Sequence, residues 1–354
     1  MKKLLLVALA AVTMASCAKT EVVEINQGNE ISFSAWTANP GRVAPTTTES
    51  IKGKDFNVWA YTPADAAYFT NQLVAWNGAK WDYTPHKFWP DVALDFYAVS
   101  PKDQTVTSAA ASTTVDFTAN TNVASQVDLL YAVNLGATRA NPTVSLAFDH
   151  ALSLVSFKAK NANTGGLKVT VTGVEVANVN SKGVFTLPEE ATNGTNKEAT
   201  AELSNWSAQD VLANYVATME SASVVLTDAL VELTNDEVGR LLLVPQTTTA
   251  WDPSTNPKTN TGSYILVKCT VQDPATDLYL WGAAGTPKQL AIPFAANWAP
   301  GKHYVYNIVF GEGAGYVPPT DATEGGNDIL IPITFNVVVD DFTPAPVEED
   351  KVLS

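Results

Sequence analysis

The stretch Ile31-Ser32-Phe33-Ser34-Ala35-Trp36-Thr37 decides how the rest of the chain is read. Ile31, Phe33 and Ala35 fall on one side of an extended backbone, Ser32 and Ser34 on the other. That is the period-2 pattern of a half-buried strand. Asn39-Pro40-Gly41-Arg42 closes it with a turn signal that carries an arginine. Val43-Ala44-Pro45-Thr46-Thr47-Thr48 then reads as extended and accessible, the kind of segment where proteolytic nicks concentrate. A loop with one arginine in it is the plainer reading of the same residues.

Upstream, Met1-Lys2-Lys3 leads the apolar run Leu4 to Val12, and Thr13-Met14-Ala15-Ser16 precedes Cys17. A basic start, a short apolar run and small residues make an export signal, too short and wrongly flanked for a spanning helix. Small residues just before a cysteine also fit a bacterial lipobox, in which residues 1–16 are removed and the thiol of Cys17 is acylated. The alternative is an ordinary cleaved signal with an incidental cysteine. Several acyl chains, each gaining about 0.8 kcal/mol per buried CH₂, would hold the precursor on a membrane. Residues 18–29 are polar and acidic, a plausible tether.

Downstream the strand grammar repeats. Phe56-Asn57-Val58-Trp59-Ala60-Tyr61 predicts a strand, and Asn77-Gly78 between Trp76 and Trp81 predicts a hairpin. Phe88-Trp89-Pro90, Leu94 to Pro101 and Val127 to Ala132 add strand-like pieces, with residues 102–114 expected as a surface excursion. A second set begins at Leu146 to Phe157 and continues through Leu167 to Thr172, Leu241 to Val244, Tyr264 to Val271, Leu290 to Phe294 and His303 to Phe310. Asp210 to Tyr215 reads as a short helix. Many short strands with few helices predict an all-β chain of two sandwiches, divided near residue 148 without an obvious linker. Residues 311–327 are Gly-, Pro- and acid-rich, a connector. They lead to a long terminal strand over 329–339, with Ile331, Ile333, Phe335, Val337 and Val339 on one face. Pro332 cannot donate to a ladder, so it fits only at an edge or where the ladder does not need its N–H.

The two ends share a pattern, Ile31-x-Phe33-x-Ala35 and Ile333-x-Phe335-x-Val337. Loss of the first strand after Arg42 would open an apolar groove that the last strand of another copy could fill by β-strand addition. Such a contact is heterologous and propagates as an open filament. Equally, both strands could stay in their own domains.

The formal net charge of −15, or −17 without Lys2 and Lys3, argues against nucleic acid and against docking on anionic lipid. With two cysteines only, an acylated Cys17 leaves Cys269 no partner, and Cys269 reads as a buried small apolar residue. The three histidines, His86, His150 and His303, have neither metal nor nucleophile spacing. Phosphate loops, G-x-S-x-G and C-x-x-C are absent from the sequence, so no enzyme and no cofactor is expected. Trp76, Trp81 and Trp89, with Tyr68 and Tyr83, could form an aromatic platform for a glycan. Burial of all three tryptophans would instead make them core.

The lipobox at Cys17, Ile31 to Ala35 before Arg42, Phe56 to Tyr61, Phe88-Trp89-Pro90, Phe96 to Pro101 and Val127 to Ala132 occur in an order that resembles the fimbrillin family. Phe148 to Leu152, Leu243 to Gln246, Pro300 to Tyr306 and Phe335 to Phe342 continue it over nearly the whole chain. These are the subunits of type V pili of Gram-negative anaerobes. The resemblance implies two transthyretin-like β-sandwich domains in tandem, over 43–148 and 149–328. It implies a lipidated outer-membrane precursor that becomes a cell-surface fimbria active in adhesion. It also implies a leader over 17–42 removed by an arginine-specific protease between Arg42 and Val43, and donor-strand exchange through 329–354. The implied partners are the lipoprotein export machinery, that protease, other fimbrial subunits head to tail (self or paralogous), and a host protein or glycan. A tip adhesin, or a surface lipoprotein that does not polymerise, is the alternative in the same family.

Overall fold

Phe56-Asn57-Val58-Trp59-Ala60-Tyr61 alternates between two cores rather than between core and water. Phe56, Val58 and Ala60 point into one apolar cluster, Trp59 and Tyr61 into another. The neighbouring strands do the same, with Phe96 and Ala98 opposed to Tyr97 and Val99, and Leu130 and Ala132 opposed to Tyr131 and Val133. Strands buried on both faces carry near-continuous apolar runs. Here the strand period sorts those side chains between two bodies that share one wall.

The computed structural model describes residues 29–37, 46, 48–110, 112–189, 199–236, 238–254, 262–319 and 331–341. The first half of the chain forms β1 (Ser32–Thr37), β2 (Phe56–Tyr61), β3 (Ala67–Trp76), β4 (Trp81–Asp82), β5 (Leu94–Ser100), β6 (Thr105–Ala109), β7 (Ser112–Thr118), β8 (Leu130–Ala137) and β9 (Thr143–His150). The second half forms β10 (Ser153–Asn161), β11 (Lys168–Thr186), β12 (Trp206–Val216), β13 (Val224–Val225), β14 (Val231–Glu232) and β15 (Leu241–Leu243). It continues with β16 (Tyr264–Gln272), β17 (Tyr279–Trp281), β18 (Lys288–Pro293), β19 (Lys302–Gly315) and β20 (Ile331–Asp341).

The chain is all-β, as expected, but the first body is a closed barrel in the order β1-β4-β3-β2-β5-β8-β9 rather than an open sandwich. Closure depends on β1, which pairs antiparallel with β4 and parallel with β9. The hairpin expected at Asn77-Gly78 is present, with Trp76 opposite Trp81. Gly78 takes φ +96°, and the Asn77 side chain accepts the N–H groups of Ala79 and Lys80 at 3.0 Å each. A residue with a Cβ would be strained at that φ.

The second body packs a sheet β14-β10-β19-β20, with β15 also on β10, against a larger one, β17-β16-β11-β7-β6. Phe157, Phe185, Tyr215, Phe294 and Trp298 are all fully buried. Residues 102–114 are not a surface excursion: β6 and β7 extend the second body's larger sheet through β7 on β11, with Phe117 opposite Gly183. Val115 and Phe117 are buried in the shared core. Residues 210–215 are not a helix either but part of β12. They pair antiparallel with β11, with Leu212 opposite Asn180 and Tyr215 opposite Val176, and Tyr215 is fully buried. Tertiary pairing overrides the weak local helical pattern, and Ala208, at positive φ, sits where the register of that pair shifts between Lys182 and Val184. The division expected near 148 lies within β9, and only Ala151 and Leu152 separate β9 from β10.

Candidate assembly site

β1 is held along its whole length. Ser32 to Thr37 align with Thr143 to Phe148 of β9, and Phe33 stands opposite Trp81 of β4. Its approach is tied as well: Ile31 N donates to Lys87 O (2.9 Å), Ser32 N to Pro142 O (3.2 Å) and Trp89 N to Asn29 O (2.7 Å). The Tyr83 hydroxyl donates to Ile31 O at 2.8 Å, and burial, first of all, pushes that phenol up to about 12, so it stays a neutral donor. Glu30 meets His86 at 2.6 Å, and His86 also lies 3.4 Å from Asp82.

Phe33 plugs the barrel. Its ring makes edge contacts with Phe69 (5.9 Å between centroids), Tyr83 (5.4 Å) and Phe96 (6.0 Å). Ile31 is fully buried, Phe33 is 5% exposed, and Ala35 packs on the same cluster at partial burial. Each full burial of a large apolar side chain is worth about 1.5–3 kcal/mol. Lifting β1 out would therefore uncover Phe69, Tyr83, Phe96 and Leu146 together with two unpaired strand edges.

The exit of β1 is anchored to the chain beyond the loop. The Thr37 and Thr48 hydroxyls are 3.1 Å apart, and Thr37 N also donates to Thr48 Oγ1. Thr46 is fully buried and accepts from Lys54 Nζ at 2.8 Å. The expected cut between Arg42 and Val43 lies outside the described residues, and so does Cys17. What the structure gives is a loop whose two ends are pinned side by side.

Among the described residues, β20 pairs with β19 alone and forms a sheet edge, where Pro332 is expected. Its burial fades along its length. Ile333 is 1% exposed, and Phe335 is half-buried against Phe294 and Tyr306 (6.5 and 5.6 Å between centroids). Val337, Val338 and Val339 are 39%, 47% and 52% exposed. Ile331 opposes Gly315 across the ladder. An edge strand with apolar residues open on both faces is a template for pairing with another chain.

The candidate glycan platform is not exposed. Trp81 and Trp89 lie in the barrel core and Trp76 is half-buried against Trp81. Trp89 Nε1 donates to Pro142 O at 3.0 Å, so its polar edge is satisfied inside. Cys269 is fully buried and His303 bonds Ser156 Oγ at 2.8 Å. Among the described residues, no group of three or more His, Cys, Asp or Glu side chains is placed to hold a metal ion. The sequence reading set Tyr83 in an aromatic platform and missed its bond to Ile31, the Thr37–Thr48 clasp and the Glu30–His86 pair, because each joins segments that only the closed barrel brings together.

A family model described as fimbrillin-like matches residues 25–327. The fimbrium subunit Fim1C of Phocaeicola vulgatus is 26% identical over 275 residues, 67% of this chain and 69% of that protein. The crystal structure of a fimbrial protein from Bacteroides vulgatus aligns over 89% of this chain and 100% of its own, with 16% identity and a TM-score of 0.54. That likeness concerns the fold alone.

Proposed function

The chain belongs to the fimbrillin-like family, and on that premise we propose that it is a structural subunit of a cell-surface fimbria that contributes to adhesion. The precursor is exported as a lipoprotein acylated on Cys17 and reaches the outer membrane. An arginine-specific protease cuts after Arg42, Val43 becomes the first residue, and the strand of Ile31, Phe33 and Ala35 is released. The donor strand of another subunit, carrying Ile331, Ile333, Phe335, Val337 and Val339, then enters the opened barrel. In this reading residues 17–42 are leader, 43–148 and 149–328 are tandem transthyretin-like sandwiches, and 329–354 are the donor segment. The first unit becomes an open sandwich once β1 has left.

The observation that carries this reading is an asymmetry between the chain ends: β1 is paired on both sides with its apolar face buried, whereas among the described residues β20 is paired on one side with Val337, Val338 and Val339 exposed. Ile333 and Phe335 match Ile31 and Phe33 in kind and spacing, while Val337 and Val339 bring more apolar surface than Ala35 and Thr37. A strand that fits its neighbour better than the leader it replaces drives exchange forward. Because donor and groove sit on different parts of the molecule, the contact repeats without closing.

The test is limited proteolysis at arginine of the purified chain, followed by intact mass and gel electrophoresis in SDS without boiling. Loss of everything up to Arg42 with a ladder of SDS-resistant oligomers is expected, and Arg42→Ala should remain monomeric. Normal polymer from Arg42→Ala, or from a chain lacking residues 329–354, would refute the reading.

A further inference from the structure

Alternation by itself does not fix where a strand inserted in the place of β1 comes to rest. β20 is apolar at every second residue from Ile331 to Val339. A shift of one residue turns that face to water, but a shift of two restores it. For a strand running as β1 does, parallel to β9, three seatings therefore compete. Phe335, Ile333 or Val337 can stand where Phe33 stands, and a more local feature has to choose among them.

The backbone at the start of β1 supplies that choice. Ser32 N donates to Pro142 O at 3.2 Å, and the Ser32 hydroxyl lies 2.8 Å from Thr143 Oγ1. Just ahead of β1, Glu30 bridges Phe88 through Ile31 N to Lys87 O and Trp89 N to Asn29 O, and neither bond uses the Glu30 N–H. With Phe335 in the place of Phe33, Thr334 falls at Ser32 and Pro332 at Glu30. A hydroxyl then meets Thr143 again, and the residue without an N–H sits where those bonds do not call for one. With Ile333 in the place of Phe33, Pro332 falls at Ser32, forfeits the bond to Pro142 O and presses its ring against that carbonyl. With Val337 there, a valine faces the cage of Phe69, Tyr83 and Phe96, and Phe335 falls at the fully buried Ile31 position. That seating leaves a void in one place and overpacks the other. In its own sheet, too, Pro332 stands at a gap: the ladder of β19 and β20 shifts between Gly315 opposite Ile331 and Phe310 opposite Ile333.

We propose that Pro332 is the register pin of the inserted strand, stopping its advance so that Phe335 rests in the Phe33 cage and Thr334 opposite Thr143; this rests on the donor-strand reading. Pro332 acts by exclusion from one side, and Phe335 by fit from the other. The same logic names the partner that the groove accepts. A last strand with a proline three residues ahead of a phenylalanine seats in one register. A strand with an N–H at that proline position is free to advance by two residues.

Paired cysteines read the register. Thr334→Cys is combined with Thr143→Cys, which it faces in the pinned seating. Separately it is combined with Ser145→Cys, which it faces after an advance of two residues, because Ser34 aligns with Ser145. Phe335→Ile is added to every chain, so that residues 333 and 335 are alike and side-chain fit no longer chooses between them. Each chain is cut after Arg42 and oxidised as it polymerises, which traps weak junctions as well. With the leader gone the one native cysteine is Cys269, fully buried, so the introduced thiols report alone. With Pro332 in place, the Thr143 crosslink should exceed the Ser145 crosslink by at least about tenfold. With Pro332→Ala that ratio should fall to about threefold or less. A ratio unchanged by Pro332→Ala, a leading Ser145 crosslink in the Pro332 chain, or a ladder with neither crosslink overturns the pin and leaves the donor-strand reading standing, since a ladder has formed. No ladder from the unsubstituted cut chain overturns both.

Discussion

Phe335→Ala separates the two homes of one side chain. In the single chain Phe335 is only half-buried, against Phe294 and Tyr306. Truncation there should cost about 1–2 kcal/mol, the lower part of the range for partly buried aromatics. In the proposed polymer the same ring would take the position of Phe33, which in the single chain is 5% exposed and touches three aromatic rings. Loss of such a ring costs about 3–5 kcal/mol. The difference, about 2–3 kcal/mol per junction, corresponds to about 30- to 150-fold in the equilibrium between joined and separated subunits. The assay compares wild type and variant twice: guanidinium unfolding of uncut monomer, then the guanidinium concentration at which the SDS-resistant ladder falls apart. The variant polymer should dissociate at clearly lower denaturant while the monomer midpoint moves little. A monomer that loses several kcal/mol while polymer dissociation is unchanged would refute the assignment of Phe335 to the Phe33 position.

Three further outcomes follow from buried groups. His303 is buried beside Ser156 and lies near Arg240; burial first, then that guanidinium, holds its imidazole down at about 4. Because the folded value lies below the ordinary ~6.5, the unfolded chain takes up the proton first, and stability should fall by about 3 kcal/mol as pH drops from 7 to 4. His303→Gln should flatten that part of the urea-stability profile, and an unchanged slope would contradict the assignment. Asp128 and His150, each with a side chain 2% exposed, lie 3.0 Å apart. Burial alone would raise the Asp128 carboxyl, but His150, Thr46 and Lys54 together hold it below the usual carboxylate range. Its contribution is therefore present above the ordinary ~3.9 and lost as pH falls through the depressed folded value. At neutral pH, Asp128→Asn should cost about 3–5 kcal/mol, the loss when one partner of a buried pair is removed, read by chemical denaturation. Cys269 is fully buried and burial pushes its thiol up to about 12. Iodoacetamide should leave it unmodified in the native protein and label it on unfolding, and rapid native labelling would show that the core between β11 and β16 is open.

Local pattern was enough for the strands themselves. The alternation in Ile31 to Thr37, the Asn77-Gly78 turn between two tryptophans and the clean alternation of Leu167 to Thr172 each state a strand or hairpin within a few residues, because period 2 and turn chemistry are local properties. Pro332 likewise announced an edge or a gap in the ladder, since a residue without an N–H has no place where the ladder needs one. The all-β class and the family resemblance were legible for the same reason. Two readings failed where local preference was weak. Asp210 to Tyr215 became a strand because β11 supplies a ladder and a pocket for Tyr215, and residues 102–114 became β6 and β7 because that sheet had an edge to extend.

Tertiary structure alone decided which face of a doubly buried strand meets which core. Trp59 and Val58 are both apolar and adjacent, and nothing in their sequence says that Val58 fills the barrel while Trp59 joins the shared wall. It also decided that Trp81 and Trp89 are core rather than a glycan platform, and that Tyr83, Thr48 and His86 hold the segment around β1. Each of those contacts joins residues far apart in sequence, from 11 positions for Thr37 and Thr48 to 56 for Glu30 and His86. The sequence determines which segments extend and which side chains seek burial. Partners across such gaps are chosen only when closure of the barrel makes their distances short.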